Sequence, residues 1–467
     1  MIGEGLGREA YLSRTGDDAP RRRERSGGVD PDASGWRSAQ GQLLLIACTW
    51  LLTRLLLARD LGWLGSKTDY EDVSGYHTWA VGMLQTHQLP TGSTWQYPIG
   101  AALLFLLADV GPARYDATFC LLMFACDLGI TTTLAAVGYR ERRFRGVWIW
   151  LLLTTMFGHI MLLRFDLAPT LTIVVALAVL WTGRRLDVFG ALIGAGVLLK
   201  VWPLLALVAA RSWRELARAG LWCVATLVVV TGAASLYFGH MLAFVSNQAH
   251  RGLEVEAVAA SPWFLRDAFT QTPLMFRYGS GATDIVGSTA NAVASALRIL
   301  MVLSAFVVAG WWVRRVRHGP PATAAQARDA VLVAVSWYLV MSPVLSPQYF
   351  IWLLGLGSLL SCSRETRMQR PLLLLAVAFG LTCILIQGAG QLYARKYTGA
   401  LDPTTFTCLL LVTRNVLVLG ATVDATRILV GRRAGAARHA GPRQSLPRGA
   451  RAWTAVRRRS PNAGAER

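Results

Sequence analysis

Residues 42–62 read QLLLIACTWLLTRLLLARDLG. At 1.5 Å per residue, such a run is long enough to cross the roughly 30 Å hydrocarbon core of a bilayer as a helix. Similar apolar runs recur along the chain to near Val430. Backbone groups in lipid must pair within the protein, and a helix pairs them within one segment. Strict period-two alternation is absent, which argues against a transmembrane β-barrel. Of the 467 residues only 16% are charged, too few to cover a soluble domain of this size. The expected fold is therefore all-α: a polytopic transmembrane helical bundle of about 12 spans.

The formal net charge of +20 would point to nucleic acid in a soluble protein. Here the charge lies in the tails and in short loops between apolar runs, the pattern of arginines kept on the cytoplasmic side. No nucleic-acid partner is expected. The tail 1–41 holds Arg21, Arg22, Arg23 and Arg25, and the tail 431–467 holds Arg432, Arg433, Arg457, Arg458 and Arg459. Both are read as disordered and cytoplasmic, flanking a membrane domain over 42–430. The first apolar run starts well inside the chain and is long enough to span, so no cleavable signal peptide is expected.

With the N-terminus inside, segment 63–115 falls outside, and its apolar stretch 98–110 is read as interfacial or re-entrant. Spans near 116–138, 147–163 and 167–183 follow, then short apolar runs at 188–200 and 201–210 and a span near 219–238. A long outer loop, 239–284, precedes spans near 285–312, 330–343, 347–361, 371–389 and 404–428. This path puts nearly every arginine-rich loop inside; Arg395 and Lys396 are the exception. The seven cysteines lie in or beside apolar runs without a CxxC pair and are read as packing residues.

The same path gathers the conspicuous polar residues on the outer face. The first outer loop holds Asp69, Glu71, Asp72, Tyr76, His77, Trp79, Trp95, Gln96 and Tyr97. Short turns hold Arg164 and Asp166, Lys200, and Gln348 and Tyr349; the long loop holds His250, Arg251, Glu254 and Glu256. A carboxylate there can take a proton from a hydroxyl, and two or three cations can hold a departing phosphate. Each residue also has a plainer reading. Arg164 and Asp166 are close enough to pair with each other, Lys200 can snorkel, and Arg251 with Glu254 can form a surface pair. Gln348 can cap a helix, and Tyr76, Trp79 and Trp95 can be interfacial aromatics. Arg54, Asp127 and Arg414 fall inside predicted spans and are read as structural ion pairs or polar clusters. No His/Cys/Asp spacing suggests a metal site.

These motifs resemble glycosyltransferase family 87, the bacterial polyprenyl-phosphate-mannose-dependent α-1,2-mannosyltransferases and their relatives. DVSGYHTWA (72–80) resembles the family's Asp–x–x–x–Tyr start of the first outer loop, and WQYPIG (95–100) its Tyr-Pro-Pro stretch. LRFDLAP (163–169) and GAGVLLKVWP (194–203) are similar to its Arg–x–Asp and Lys–x–x–Pro turns. HRGLEVEA (250–257) resembles its Arg-Gly-Leu–x–x–Glu loop, and SPQYFIWLL (346–354) its Pro-Gln-Tyr segment. The matches keep the family's order from Asp72 to Trp352.

The resemblance implies a C-type glycosyltransferase architecture in a bacterial plasma membrane with the active site on the outer face, and the arginine placement adds that both termini are cytoplasmic. It implies a polyprenyl-phosphate-sugar donor, an acceptor hydroxyl on a glycolipid or other glycan, and inversion by a single displacement. Asp72 takes the place of the family's catalytic aspartate, with Asp69 in reserve. Arg164, Lys200 and Arg251 become donor-phosphate contacts; Tyr76, Tyr97, Asp166, Glu254, Gln348 and Tyr349 become pocket residues. No cofactor and no obligatory metal are expected, since the first loop has no DxD pair. Ile99 stands where the family's second proline is usual, so a differently shaped loop is expected there, bearing on the acceptor. The rival readings are a transferase for another polyprenyl-linked sugar such as arabinose or glucose, a lipid-sugar flippase or transporter, and a non-catalytic assembly protein.

Overall fold

A computed structural model describes residues 31–63, 71–110, 114–183, 185–249, 251–270, 274–279, 282–387 and 405–439. Asp69, His250, Arg395, Lys396 and most of both tails lie outside them. Helices dominate: α1 (Pro31–Ala58), α2 (Glu71–Thr86), α3 (Ile99–Ala108), α4 (Tyr115–Arg140), α5 (Arg145–Phe157), α6 (Ile160–Leu163), α7 (Leu167–Gly183) and α8 (Leu186–Leu199). Then come α9 (Trp213–Ser235), α10 (Ala243–Ala249), α11 (Ser261–Thr270), α12 (Ser288–His318), α13 (Ala324–Val340), α14 (Phe350–Ser361), α15 (Gln369–Gln387) and α16 (Thr405–His439). Among the described residues, one antiparallel hairpin, β1 (Phe276–Gly279) with β2 (Ala282–Ile285), closes the expected loop 239–284 and is a small exception to the all-α expectation.

Among the described residues, six helical segments are long and apolar enough to cross a membrane: Ala39–Leu61, Tyr115–Arg140, Trp213–Ser235, Ser288–His318, Gln369–Ile386 and Thr405–Gly431. Four shorter apolar helices, α3, α5, α7 and α8, accompany them. Only 11% of the apolar windows in α9 and α12 is buried within the protein, so these helices turn their apolar surface outward, as lipid-facing helices do. All of α14 is buried, which makes it the bundle's central element. The chain is a polytopic helical membrane protein.

Close glycine contacts set the packing. A Cβ on Gly190 would lie 2.1 Å from the Ala219 carbonyl oxygen, and one on Gly194 would lie 2.7 Å from that of Cys223. The constant offset means that α8 and α9 run parallel, so the chain must return between them. The 3-10 helix Trp202–Ala209 makes that return, with Pro203 near its start. At about 2 Å per residue, eight 3-10 residues reach about 16 Å, roughly three quarters of the length of the 14-residue α8. The apolar run 201–210 therefore forms a compact 3-10 connector, which its hydropathy alone did not reveal.

Helix ends differ from the hydropathy boundaries for local reasons. The first helix begins at Pro31, ahead of the apolar run, and ends in a π-helical turn, Arg59–Trp63. The span expected over 147–163 breaks at Gly158, whose φ of 72° suits only glycine, and α6 follows as a separate turn. Thr323 and Gln326 form a reciprocal capping box that starts α13 before its apolar run. Helix α16 continues to His439, past the expected boundary at 430, because arginine and alanine sustain a helix after hydropathy falls. Ile99 is the first residue of α3, behind Pro98 as N-cap. Proline is also accommodated at that first position, so the exchange requires no different path.

The two ends of the bundle differ. Arg140 donates to the Thr182 carbonyl, and Arg315 to that of Ala210, so several of the basic connections share one end. The turns holding Asp166, Lys200 and Tyr349 meet at the other.

Candidate active site

At that second end, α7 and α14 begin and α8 and α13 finish. Asp166 precedes α7 and Lys200 terminates α8; Lys200 Nζ donates to Asp166 Oδ1 at 2.6 Å, and Trp352 Nε1 donates to the same oxygen at 2.7 Å. The ammonium lies 4.7 Å from the Phe165 ring centre and 4.9 Å from that of Tyr349. A buried ammonium held this way needs both its carboxylate and its aromatic walls. Burial lowers the Lys200 pKa, Asp166 opposes the shift, and the charges of Arg164 and Arg251 add to it. Lys200 is therefore packed, and does not snorkel.

Arg164, in the turn after α6, does not pair with its neighbour Asp166. Its Nη2 reaches Asp72 Oδ2 on α2 at 2.6 Å, with the Asp72 side chain 40% exposed. The most accessible carboxylate of the cluster thus sits against a guanidinium. Burial disfavours the Arg164 charge, but Tyr76, Asp72, Tyr97 and Asp166 outweigh that and hold its pKa above the ordinary value.

Arg251 and Glu254 do not pair on the surface; both are buried. Arg251 Nη1 donates to Gln96 Oε1. Its Nε is buried and meets no acceptor, and the same holds for Trp95 Nε1 and Trp202 Nε1. The loop 251–257 is stitched on both sides: Val255 N donates to Thr283 O at 3.0 Å, and Glu254 N to Pro343 O at 2.9 Å. Both Glu254 oxygens are committed as well, one to Leu345 N at 2.6 Å and one to Ser346 Oγ at 2.7 Å. Burial raises the Glu254 pKa, while Arg251 and these two donors pull it back. Glu254 is thus an anchor between the loop and the turn before α14. Glu254→Ala should destabilise the protein by about 1–3 kcal/mol, because Leu345 N loses its buried acceptor, and Ser346→Ala should cost less. Thermal unfolding in detergent checks both.

Aromatic rings pack around these groups. Tyr76 is buried and stacks on Phe105 at 4.4 Å; Tyr97 meets Phe165 edge-on at 5.0 Å. Burial pushes the Tyr97 phenol up to about 12, so it is a neutral donor at physiological pH. Tyr349 stacks on Trp352 at 4.3 Å, and Gln348 is buried in the 3-10 turn Pro347–Tyr349 without capping it. Trp95 is fully buried, so neither it nor Tyr76 is an interfacial aromatic.

The structure therefore brings Asp72, Tyr76, Tyr97, Arg164, Asp166, Lys200, Arg251 and Tyr349 into one neighbourhood. It adds residues that the sequence reading did not rank: Trp352, Phe165, Gln96 and Ser346. Trp352 had a signal, since it follows Gln348 by one helical turn in SPQYFIWLL. Gln96 had none beyond its place in the first outer loop. Among the described residues no group of three or more His, Cys, Asp or Glu is arranged to hold a metal ion.

The chain matches the family model described as glycosyltransferase family 87 over residues 95–343, more than half its length. The matched segment contains Tyr97, Arg164, Asp166, Lys200, Arg251 and Glu254. It begins after Asp72 and Tyr76 and ends before Gln348 and Tyr349. No curated protein and no solved structure matches the chain.

Proposed function

The chain belongs to glycosyltransferase family 87 and is a membrane glycosyltransferase; from that premise we propose that it moves a hexose, mannose first, from a polyprenyl-phosphate donor to an acceptor hydroxyl with inversion. The proposed setting is a bacterial plasma membrane, a C-type architecture of about twelve crossings, both termini cytoplasmic and the site on the outer face. The observation that carries the reading is Asp72 at 2.6 Å from Arg164, beside Lys200, whose charge is felt together with those of Arg164 and Arg251. A base and a set of phosphate-binding cations are the two groups that a single displacement from a lipid phosphate needs.

In this mechanism the donor phosphate competes with Asp72 for Arg164 and supplies acceptors to Lys200 and Arg251. Asp72, released from Arg164, takes the proton of the acceptor hydroxyl. The new bond from the acceptor oxygen to the anomeric carbon forms as the bond from that carbon to the phosphate oxygen breaks. The phosphate departs with the electron pair and needs no proton. Tyr76, Tyr97, Gln348 and Tyr349 present rings and polar tips to the sugar, and Asp166 holds Lys200 charged.

Purified protein in lipid, given radiolabelled polyprenyl-phosphate-mannose and a membrane glycolipid extract, tests the reading. Label in a new product supports it. Donor bound without transfer points to a different sugar or acceptor, and absence of donor binding removes the proposed donor class.

A further inference from the structure

Away from the active site, α5, α14 and α15 enclose a crevice of about 180 Å³. It follows one face of α14 from Phe350 to Ser361, a length of roughly 16 Å at helical rise. Leu373 on its rim is 59% exposed, so the crevice lies beside the bundle's outer surface. Its walls are apolar except for Arg145, Ser358 and Ser361. These three lie together at one end: Gly146 packs against the Ser358 carbonyl, and Ser361 is the last residue of α14. Arg145 Nη1 donates to Gln369 Oε1 at 2.7 Å, and its side chain is otherwise exposed at the mouth.

Two features point to a ligand with a polar head. Ser358 is fully buried, lines the crevice, and its hydroxyl has no partner. Hydroxyls within helices ordinarily bond back to the carbonyl four residues earlier, as Thr154, Thr170 and Thr382 do here. The mouth is also net basic: the two segments joined there by Arg145 and Gln369 hold Arg140, Arg142, Arg143, Arg145, Arg364, Arg367 and Arg370 against Glu141 and Glu365.

We propose that this crevice seats the head-proximal stretch of one acyl chain of an anionic phospholipid, with its phosphate on Arg145 and its ester oxygens on Ser358 and Ser361, while the rest of the chain lies in the bilayer. The sugar donor is not the occupant. The polar mouth is at the end of α14 opposite Tyr349 and Lys200, and Phe350 faces Phe379 and Arg414 while Trp352 faces Lys200. A zwitterionic lipid fits less well, since its cationic head would meet this basic mouth.

Native mass spectrometry of the full-length protein, exchanged into detergent with phosphatidylglycerol or phosphatidylcholine, tests the proposal. One phosphatidylglycerol should remain per chain. Arg145→Ala should lower that retention about fivefold, the effect of one basic residue on an anionic lipid. Gly357→Leu should remove it by filling the slot: Gly357 lines the crevice, and a Cβ there meets only the flexible end of Leu372. Glycerol 3-phosphate, which has the anion but no chain, should not compete. Equal retention in Arg145→Ala and the native protein, equal retention of the two lipids, displacement by glycerol 3-phosphate, or no retained lipid would each overturn the proposal. Arg145 is a surface side chain, so its variant decides the matter even where Gly357→Leu fails to fold.

Discussion

Asp72→Asn should fold as the native enzyme does and lose transfer by about 10²–10⁴-fold, the contribution of a positioned general base. Asparagine keeps the size of the side chain and one oxygen toward Arg164, so the turn after α6 stays in place. It cannot accept the acceptor's proton. Donor affinity should hold or rise, because the donor phosphate no longer competes with a charged partner for a guanidinium 2.6 Å away. Arg164→Ala should do the reverse at the binding step, weakening the donor while leaving the base intact. The split between donor Kd and turnover distinguishes a base from a residue that merely holds Arg164. A fully active Asp72→Asn enzyme removes the assigned role. Asp166 is a poor substitute base, since one of its oxygens already takes both Lys200 and Trp352.

The broad fold was legible because hydropathy and arginine placement report on solvent, and a bilayer imposes that constraint on every helix. The turns holding Arg164, Lys200 and Tyr349 were legible as members of one end for the same reason. Partner choice within that end was not. Arg164 and Asp166 are two residues apart, yet each pairs across the bundle, because the turn aims them to different sides. Glu254 read as a pocket residue, and its commitment to Leu345 and Ser346 depends on a contact 91 residues away. Arg54, Asp127 and Arg414 read alike as charges in spans. Arg54 and Asp127 pair with each other at 2.8 Å, but Arg414 takes Glu256, from the loop, at 2.8 Å. Long-range pairing of this kind leaves no periodicity to read.

Asp127→Ala should cost the most stability of any single change on α4, about 3–5 kcal/mol, because it strands Arg54 as a buried charge. Asp127 is fully buried and accepts four hydrogen bonds: Arg54 Nε at 2.8 Å, Arg54 Nη2 at 2.9 Å, Trp50 Nε1 at 2.6 Å and Trp150 Nε1 at 2.9 Å. Those donors come from α1 and α5, so one carboxylate ties three helices. Helix α1 depends on it, since only 22% of its apolar stretch is buried inside the protein at all, Arg54 included. Counted as four membrane hydrogen bonds at about 0.6 kcal/mol each, the loss would be only about 2.4 kcal/mol. The uncompensated arginine is what makes it larger, and this separates the two accounts. The double variant Arg54→Met with Asp127→Leu removes the same hydrogen bonds and leaves no charge behind, so it should recover most of the stability. Asp127→Asn should fall between the two. Thermal unfolding of the purified variants, followed by size-exclusion chromatography in detergent, gives the order. A double variant no more stable than Asp127→Ala would mean that the hydrogen bonds themselves, and not the charge balance, hold α1 against the bundle.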